Sequence, residues 1–223
     1  MMRILLAEDH ASSREPLAFM LEQEPDLMVA AQAASLAEAR EALSEADPPV
    51  DFAIIDLDLP DGSGTELIGE LHATNRRAQA LILTAFSERG RIARAVEAGA
   101  AGVLHKSVRI RDVVSAVRRL GAGEQLLSPQ EIGELSRLAV SRRRQDREAQ
   151  ARIERLTPRE REVLQALAEG LGDREISARL YVSRATVQSH MVNILAKLEV
   201  ASRLQALLFA ARNGVVNLDE PLY

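Results

Sequence analysis

Phe52-Ala53-Ile54-Ile55-Asp56-Leu57-Asp58-Leu59-Pro60 decides how the first half of the chain is read. Its opening is apolar at every position. A strand with one wet face alternates instead, so this one is expected to be covered on both faces. It then stops abruptly in aspartates and a proline. Four other short runs share its character, at residues 3–7, 28–31, 80–83 and 102–104. Amphipathic stretches of about helical length separate them. Five strand–helix repeats imply an α/β domain, a parallel sheet with helices on both faces.

The residues that end these runs carry chemistry. Glu8 and Asp9 follow the first, Asp56 closes the third, Thr84 closes the fourth, and Lys106 follows the fifth. Each alone is an ordinary cap or surface group. In a doubly wound sheet of strand order 2-1-3-4-5, strands 1 and 3 are neighbours where the winding reverses, and ligands bind there at the carboxyl ends. That order brings Glu8, Asp9 and Asp56 into one crevice. Three close carboxylates repel, so either one holds a proton or a cation sits among them. Mg²⁺ suits such a site, because it takes a few carboxylates and keeps its waters and phosphate oxygens. With Mg²⁺ present, Asp56 stays ionised and can attack a phosphoryl group. The metal then offsets charge on the transferred oxygens. Thr84 offers the phosphate a hydroxyl and Lys106 an ammonium.

Composition narrows the remaining classes. A chain of 223 residues fits one or two domains. The absence of cysteine excludes disulfides, thiolate zinc sites and cysteine nucleophiles. The apolar run after Met1-Met2-Arg3 is too short for a signal peptide, and no stretch approaches the ~20 apolar residues of a membrane span. A cytoplasmic location with no membrane partner is the expectation. Residues 1–123 carry 13 Lys/Arg against 19 Asp/Glu, residues 124–150 are balanced, and residues 151–223 have a single excess positive charge. Charge alone therefore does not announce nucleic-acid binding, whose usual footprint is a basic domain.

Residues 124–150 read as a linker, with a short helix starting at Ser128-Pro129. Arg142 to Gln150 is almost wholly polar, as expected of a helix bridging domains. The last part, 151–223, shows helix punctuation and no strand pattern. Thr157-Pro158-Arg159-Glu160 is a capping box with proline at the first helical position. Gly170 stops that helix. Asp173 and Ser183 are expected to cap the next two, with Leu180-Tyr181-Val182-Ser183 as the turn between them. A fourth helix is expected from near Ser202 to before Gly214. On the third helix, at ~100° per residue, His190, Met191, Ile194 and Leu198 fall on the side of Val187. Ala185, Gln188, Ser189, Val192, Asn193 and Ala196 form the opposite, small and uncharged side. On the fourth, Leu204, Leu207, Leu208 and Ala211 make one stripe, expected to pack within the domain.

Two resemblances follow from these residues. Leu6-Ala7-Glu8-Asp9-His10, Ile55 to Pro60, Leu83-Thr84-Ala85 and Gly99 to Lys106 together resemble the receiver domain of two-component response regulators, over about residues 2–120. That resemblance implies phosphorylation at Asp56 and Mg²⁺ held by Asp9, with help from Glu8 and from the backbone carbonyl of Asp58. It implies Thr84 and Lys106 as phosphate-holding groups. One position departs: the family's aromatic switch residue, three before the lysine, is Val103. The route by which phosphorylation reaches the surface is thereby left open. His10 and His105 are read as surface or packing residues.

Leu156 to Leu164, Glu175-Ile176, Val182-Ser183, Thr186-Val187, His190, Ile194, Lys197-Leu198 and Ser202-Arg203 resemble the LuxR-type helix-turn-helix over residues 154–213. Together the two halves resemble the NarL/FixJ group of transcriptional regulators. This implies a four-helix domain whose third helix enters the major groove of double-stranded DNA, binding as a homodimer, with a sensor histidine kinase as partner. Gln188, Ser189 and Val192 then read bases, and Thr186, Lys197, Arg203 and Arg174 contact phosphates. Part of the fourth helix joins the dimer contact. Glutamine pairs with adenine and an aliphatic side chain with the thymine methyl, so A·T-leaning contacts are expected. Two other readings stand beside this one. Asp56-Leu57-Asp58 also resembles the motif of haloacid-dehalogenase-type phosphatases. A receiver-like dimerisation module that acts without phosphorylation is the other.

Overall fold

The computed structural model describes residues 1–85 and 88–217. The last residues of the expected C-terminal domain, 218–223, lie outside them. Two compact units divide at 141/142, rather than at the ends of the linker expected over 124–150.

The first unit is a five-stranded parallel sheet: β1 (Met2–Ala7), β2 (Leu27–Ala33), β3 (Phe52–Asp56), β6 (Gln79–Thr84) and β7 (Gly102–His105), in the order β2-β1-β3-β6-β7. The labels β4 (Asp58–Leu59) and β5 (Gly62–Ser63) belong to a small antiparallel hairpin after β3. The five long strands thus have the order expected from the runs.

Their continuous apolar character has a direct cause. Along β3, Ala53 and Ile55 pack on one face, with Leu36 and Leu43 of α2 (Leu36–Glu45) and Leu67, Ile68 and Leu71 of α3 (Thr65–Thr74). Phe52 and Ile54 pack on the other, with Leu17 and Leu21 of α1 (Ala11–Glu22) and Val113, Val117 and Leu120 of α5 (Ile110–Gly121). Each such side chain contributes about 1.5–3 kcal/mol by leaving water. The helix α4 (Arg89–Ala98) lies between β6 and β7 in the chain and ends at Gly99, whose φ of 109° suits glycine at a helix end.

The expectation of a short linker helix is corrected. A single helix, α6 (Pro129–Glu154), runs for 26 residues. The polar stretch inside it is built of strong helix formers, and Arg144 pairs with Glu148 at 2.9 Å one turn on.

The second unit packs α7 (Pro158–Ala168), α8 (Asp173–Arg179), α9 (Arg184–Leu198) and α10 (Arg203–Arg212) around Val163, Leu164, Ile176, Val187, Met191, Ile194, Leu198, Ala206 and Ala210. The capping box at Thr157 and Glu160 forms. Gly172, not Asp173, occupies the cap of α8, and Asp173 becomes its first helical residue. The stripe read on α10 holds in part: Leu207 and Ala211 pack against the core, but Leu204 and Leu208 do not. Ala206 and Ala210 are buried, whereas Leu204 and Leu208 stay 65% and 47% exposed. α10 packs on α7 and α9, and buried alanines let helices approach more closely than leucines do.

Gly64, before α3, has no room for a side chain. A Cβ there would lie 2.0 Å from the Asp56 carbonyl oxygen and 2.6 Å from Ile55 Cγ2, while one on Gly69 would meet nothing. Gly64→Ala is therefore expected to lower stability by about 1–3 kcal/mol in urea unfolding. Gly69→Ala, in an exposed helix interior, is expected to raise it by about 0.5–1 kcal/mol.

Candidate functional site

The strand register builds the acidic crevice. Ala7 pairs with Ile55, Asp56 with Leu83 and Thr84 with His105. The residues next in line, Glu8, Asp56, Thr84 and Lys106, therefore meet at the carboxyl edge of the sheet. Glu8, Asp56 and Thr84 are buried. Lys106 reaches across them: its Nζ lies 2.7 Å from Glu8 Oε2 and 2.7 Å from Asp56 Oδ2. Its backbone N–H donates to the Thr84 carbonyl at 2.8 Å.

The electrostatics follow from burial. Burial pushes the Asp56 carboxyl above its ordinary range, and the hydrogen bonds from Lys106 and the Asp58 N–H only partly offset it. Burial works against the Lys106 ammonium, but hydrogen bonds to Asp56 and Glu8 hold it above the usual lysine value.

Asp9 sits at the rim, with its Oδ1 2.5 Å from His10 Nδ1. Ligand atoms of Glu8, Asp9 and His10 lie within 4.8 Å of one another. The Asp58 side chain turns away and pairs with Arg91 of α4, a partner not anticipated from sequence. Asp61 was also missed. Its carboxylate accepts from the Leu36 and Ala37 N–H groups at 2.7 and 2.9 Å, so it ties the loop after Asp56 to the start of α2. An aspartate in a Pro-Asp-Gly turn gives no signal of such a distant partner.

The donor set fits a hard divalent cation. Two buried carboxylates share one ammonium, a third carboxylate stands beside them, and oxygen ligands of this kind suit Mg²⁺. His105 bonds outward, to the Ala85 carbonyl at 2.9 Å and Ser107 Oγ at 2.7 Å. Val103 is partly buried and lines a mainly apolar cavity of about 810 Å³ with Thr84, Ile92, Leu135 and Leu138.

In the second unit, Gln188 and Ser189 are exposed on α9, as is Val192 at 66%. Arg174 is exposed on α8. The Thr186 hydroxyl meets Ser183 Oγ at 2.8 Å at the start of α9. Two residues read as phosphate contacts are otherwise engaged. Lys197 Nζ lies 2.7 Å from Oε2 of the buried Glu160. Arg203 grips Asp173 with both nitrogens, at 2.5 and 3.1 Å. These pairs engage both cations within the domain, with 30% of the Lys197 side chain and 43% of the Arg203 side chain still exposed. Sequence reading caught Glu160 as a cap but not as the centre of an ion pair 37 residues long in sequence.

These two sites define a class: a receiver domain joined to a helix-turn-helix domain. Comparison with known proteins agrees. Residues 4–118 match the response regulator receiver domain, and residues 154–210 match the luxR family of bacterial regulatory proteins. The chain belongs to the LuxR-type response regulators and carries their DNA-binding domain. It is 34% identical over 210 residues to the DNA-binding transcriptional activator DevR/DosR of Mycobacterium tuberculosis, covering 94% of each chain. It is 33% identical to the transcriptional regulatory protein LiaR of Bacillus subtilis, over 97% of this chain and 100% of that one. A LuxR-family two-component response regulator from Aurantimonas sp. SI85-9A1 superposes with a TM-score of 0.52 at 34% identity, over 59% of this chain and 95% of that one. Asp56 ends the third strand of the chain rather than the first, and these relatives are regulators, so the phosphatase reading is dropped. Among the described residues, no helix is long and apolar enough to cross a membrane.

Glu160 yields a stability prediction. Burial opposes its charge, but hydrogen bonds from Lys197 and Thr157 outweigh burial and hold its carboxyl below the usual glutamate value. Its contribution is thus complete above the ordinary value of about 4.3 and fades as pH falls through the depressed one. Glu160→Gln is expected to cost about 2 kcal/mol at neutral pH, read by denaturant unfolding. The gap from the parent protein should narrow below about pH 4.

Proposed function

We propose that this protein is a transcriptional regulator switched by phosphorylation of Asp56. The observation that carries the reading is the buried Asp56 carboxylate held 2.7 Å from Lys106 Nζ, beside Glu8. An Asp56 oxygen attacks the phosphorus of a phosphohistidine on a sensor kinase, or of a small phosphodonor. The new O–P bond forms as the bond to the leaving imidazole or carboxylate breaks. Lys106, freed from direct pairing with Asp56, holds a phosphoryl oxygen, and the Thr84 hydroxyl donates to another. Glu8, Asp9, Asp56 and the Asp58 carbonyl would hold Mg²⁺, which when bound would offset the charge on the transferred oxygens.

Thr84 also lines the cavity beside Val103. A Thr84 drawn toward the phosphoryl group alters that wall, and Val103 leaves space where an aromatic ring usually moves. This supports a switch route of packing around the cavity. In the second unit α9 enters the major groove, with Gln188, Ser189 and Val192 at the bases and Thr186 and Arg174 at phosphates. The exposed Leu204 and Leu208 of α10 suit the homodimer contact that pairs two such helices on DNA.

Incubation with acetyl phosphate and Mg²⁺ should add one phosphate by intact mass, and both Asp56→Ala and chelation by EDTA should abolish it. A phosphate added equally to Asp56→Ala would overturn the assignment. Binding-site selection should return A·T pairs under Gln188 and Val192, and phosphodonor should tighten binding to those sites and raise the dimer fraction. Equal affinity with and without phosphodonor would favour the phosphorylation-independent reading, to which Val103 lends weight.

A further inference from the structure

Two residues other than glycine hold a left-handed backbone among the described residues, Tyr181 at φ 53° and Glu199 at φ 57°. Each follows a helix, where glycine is the usual occupant because it has no Cβ to strain. Glu199 has partners for its side chain: Arg152 at 2.9 Å and Arg155 at 3.3 Å. Tyr181 has a different environment. Its side chain is 95% exposed.

The turn that presents it is firmly built. Val182 N–H donates to the Ser177 carbonyl at 3.0 Å and Tyr181 N–H to Ala178 at 3.4 Å, the paired bonds of a Schellman motif. Arg159 of α7 donates to the Leu180 carbonyl. A rigid, strained turn thus holds an aromatic ring in water. The hydrogen bonds secure the backbone of the turn while the ring itself stays in water, and backbone strain under so exposed a side chain points to a function.

Position identifies the ligand. Tyr181 stands two residues before Ser183, the cap of α9, and the exposed Arg184, Ala185, Gln188 and Ser189 follow on that helix. Lys197 and Arg203 pair with Glu160 and Asp173, and Arg174 and Arg184 are exposed nearby. Phosphate oxygens accept from tyrosine hydroxyls as well as from cations, and such contacts set register without reading sequence.

We propose that Tyr181 is a DNA-contact residue whose hydroxyl donates to a backbone phosphate flanking the groove entered by α9, an inference that rests on the DNA-binding reading above. The full chain is titrated, by fluorescence anisotropy, against a duplex recovered by binding-site selection and against a nonspecific duplex. Tyr181→Phe should weaken binding about 3–10-fold on both duplexes alike, since a phosphate contact is blind to sequence. The salt slope should not change, because a neutral hydroxyl releases no counterion. Tyr181→Gly should weaken binding at least as much, yet raise the melting temperature by about 3–6 °C as the strain is relieved. Wild-type affinity in both variants would overturn the proposal and assign the ring to a protein partner. Val192→Glu separates the two levels of the argument. If it abolishes binding while the Tyr181 variants bind normally, the tyrosine proposal alone fails. If it too leaves binding intact, the placement of α9 in the groove fails as well.

Discussion

A single ammonium shared by two buried carboxylates anchors the first unit. Lys106 sits between Glu8 and Asp56 at the end of the sheet, at 2.7 Å from each. Carboxylates buried this closely are costly without a counter-charge, and the lysine supplies only half of it. The remaining negative charge, carried by carboxylate oxygens, fits a hard divalent cation. The arrangement depends on register: a slip of one residue along β3 would turn Asp56 to the opposite face of the sheet. Packing on both faces prevents that slip, because Ala53 and Ile55 fill one core while Phe52 and Ile54 fill the other.

The second unit uses charge differently. Its described residues form no sheet to align their groups, and ion pairs join helices that are distant in sequence: Glu160 of α7 with Lys197 of α9, and Asp173 of α8 with Arg203 of α10. Buried alanines on α10 allow its close approach to the other helices, and Leu204 and Leu208 are left outside. The result is an outward α9 face that is small and largely neutral.

Between pocket and surface stands Val103. A valine fills less space than an aromatic ring, and Val103 lines one cavity with Thr84 and with Leu135 and Leu138 of α6.

The strand runs, their order and the residues of the pocket were legible in the sequence, because period-free apolar runs ending in Glu8, Asp9, Asp56, Thr84 and Lys106 reflect local backbone geometry and a small set of sheet topologies. The helices of the second half were legible too, since Thr157, Ser183 and Ser202 are local caps. Tertiary structure alone decided the partners. That Asp58 faces Arg91, that Asp61 caps α2, and that Lys197 and Arg203 pair with Glu160 and Asp173 follow from which helices pack side by side. The length of α6 and the outward turn of Leu204 and Leu208 belong to the same class. A sequence states which groups are present and how the chain bends around each. Which groups meet across dozens of residues is set by packing, where a charge takes the nearest counter-charge that burial leaves it.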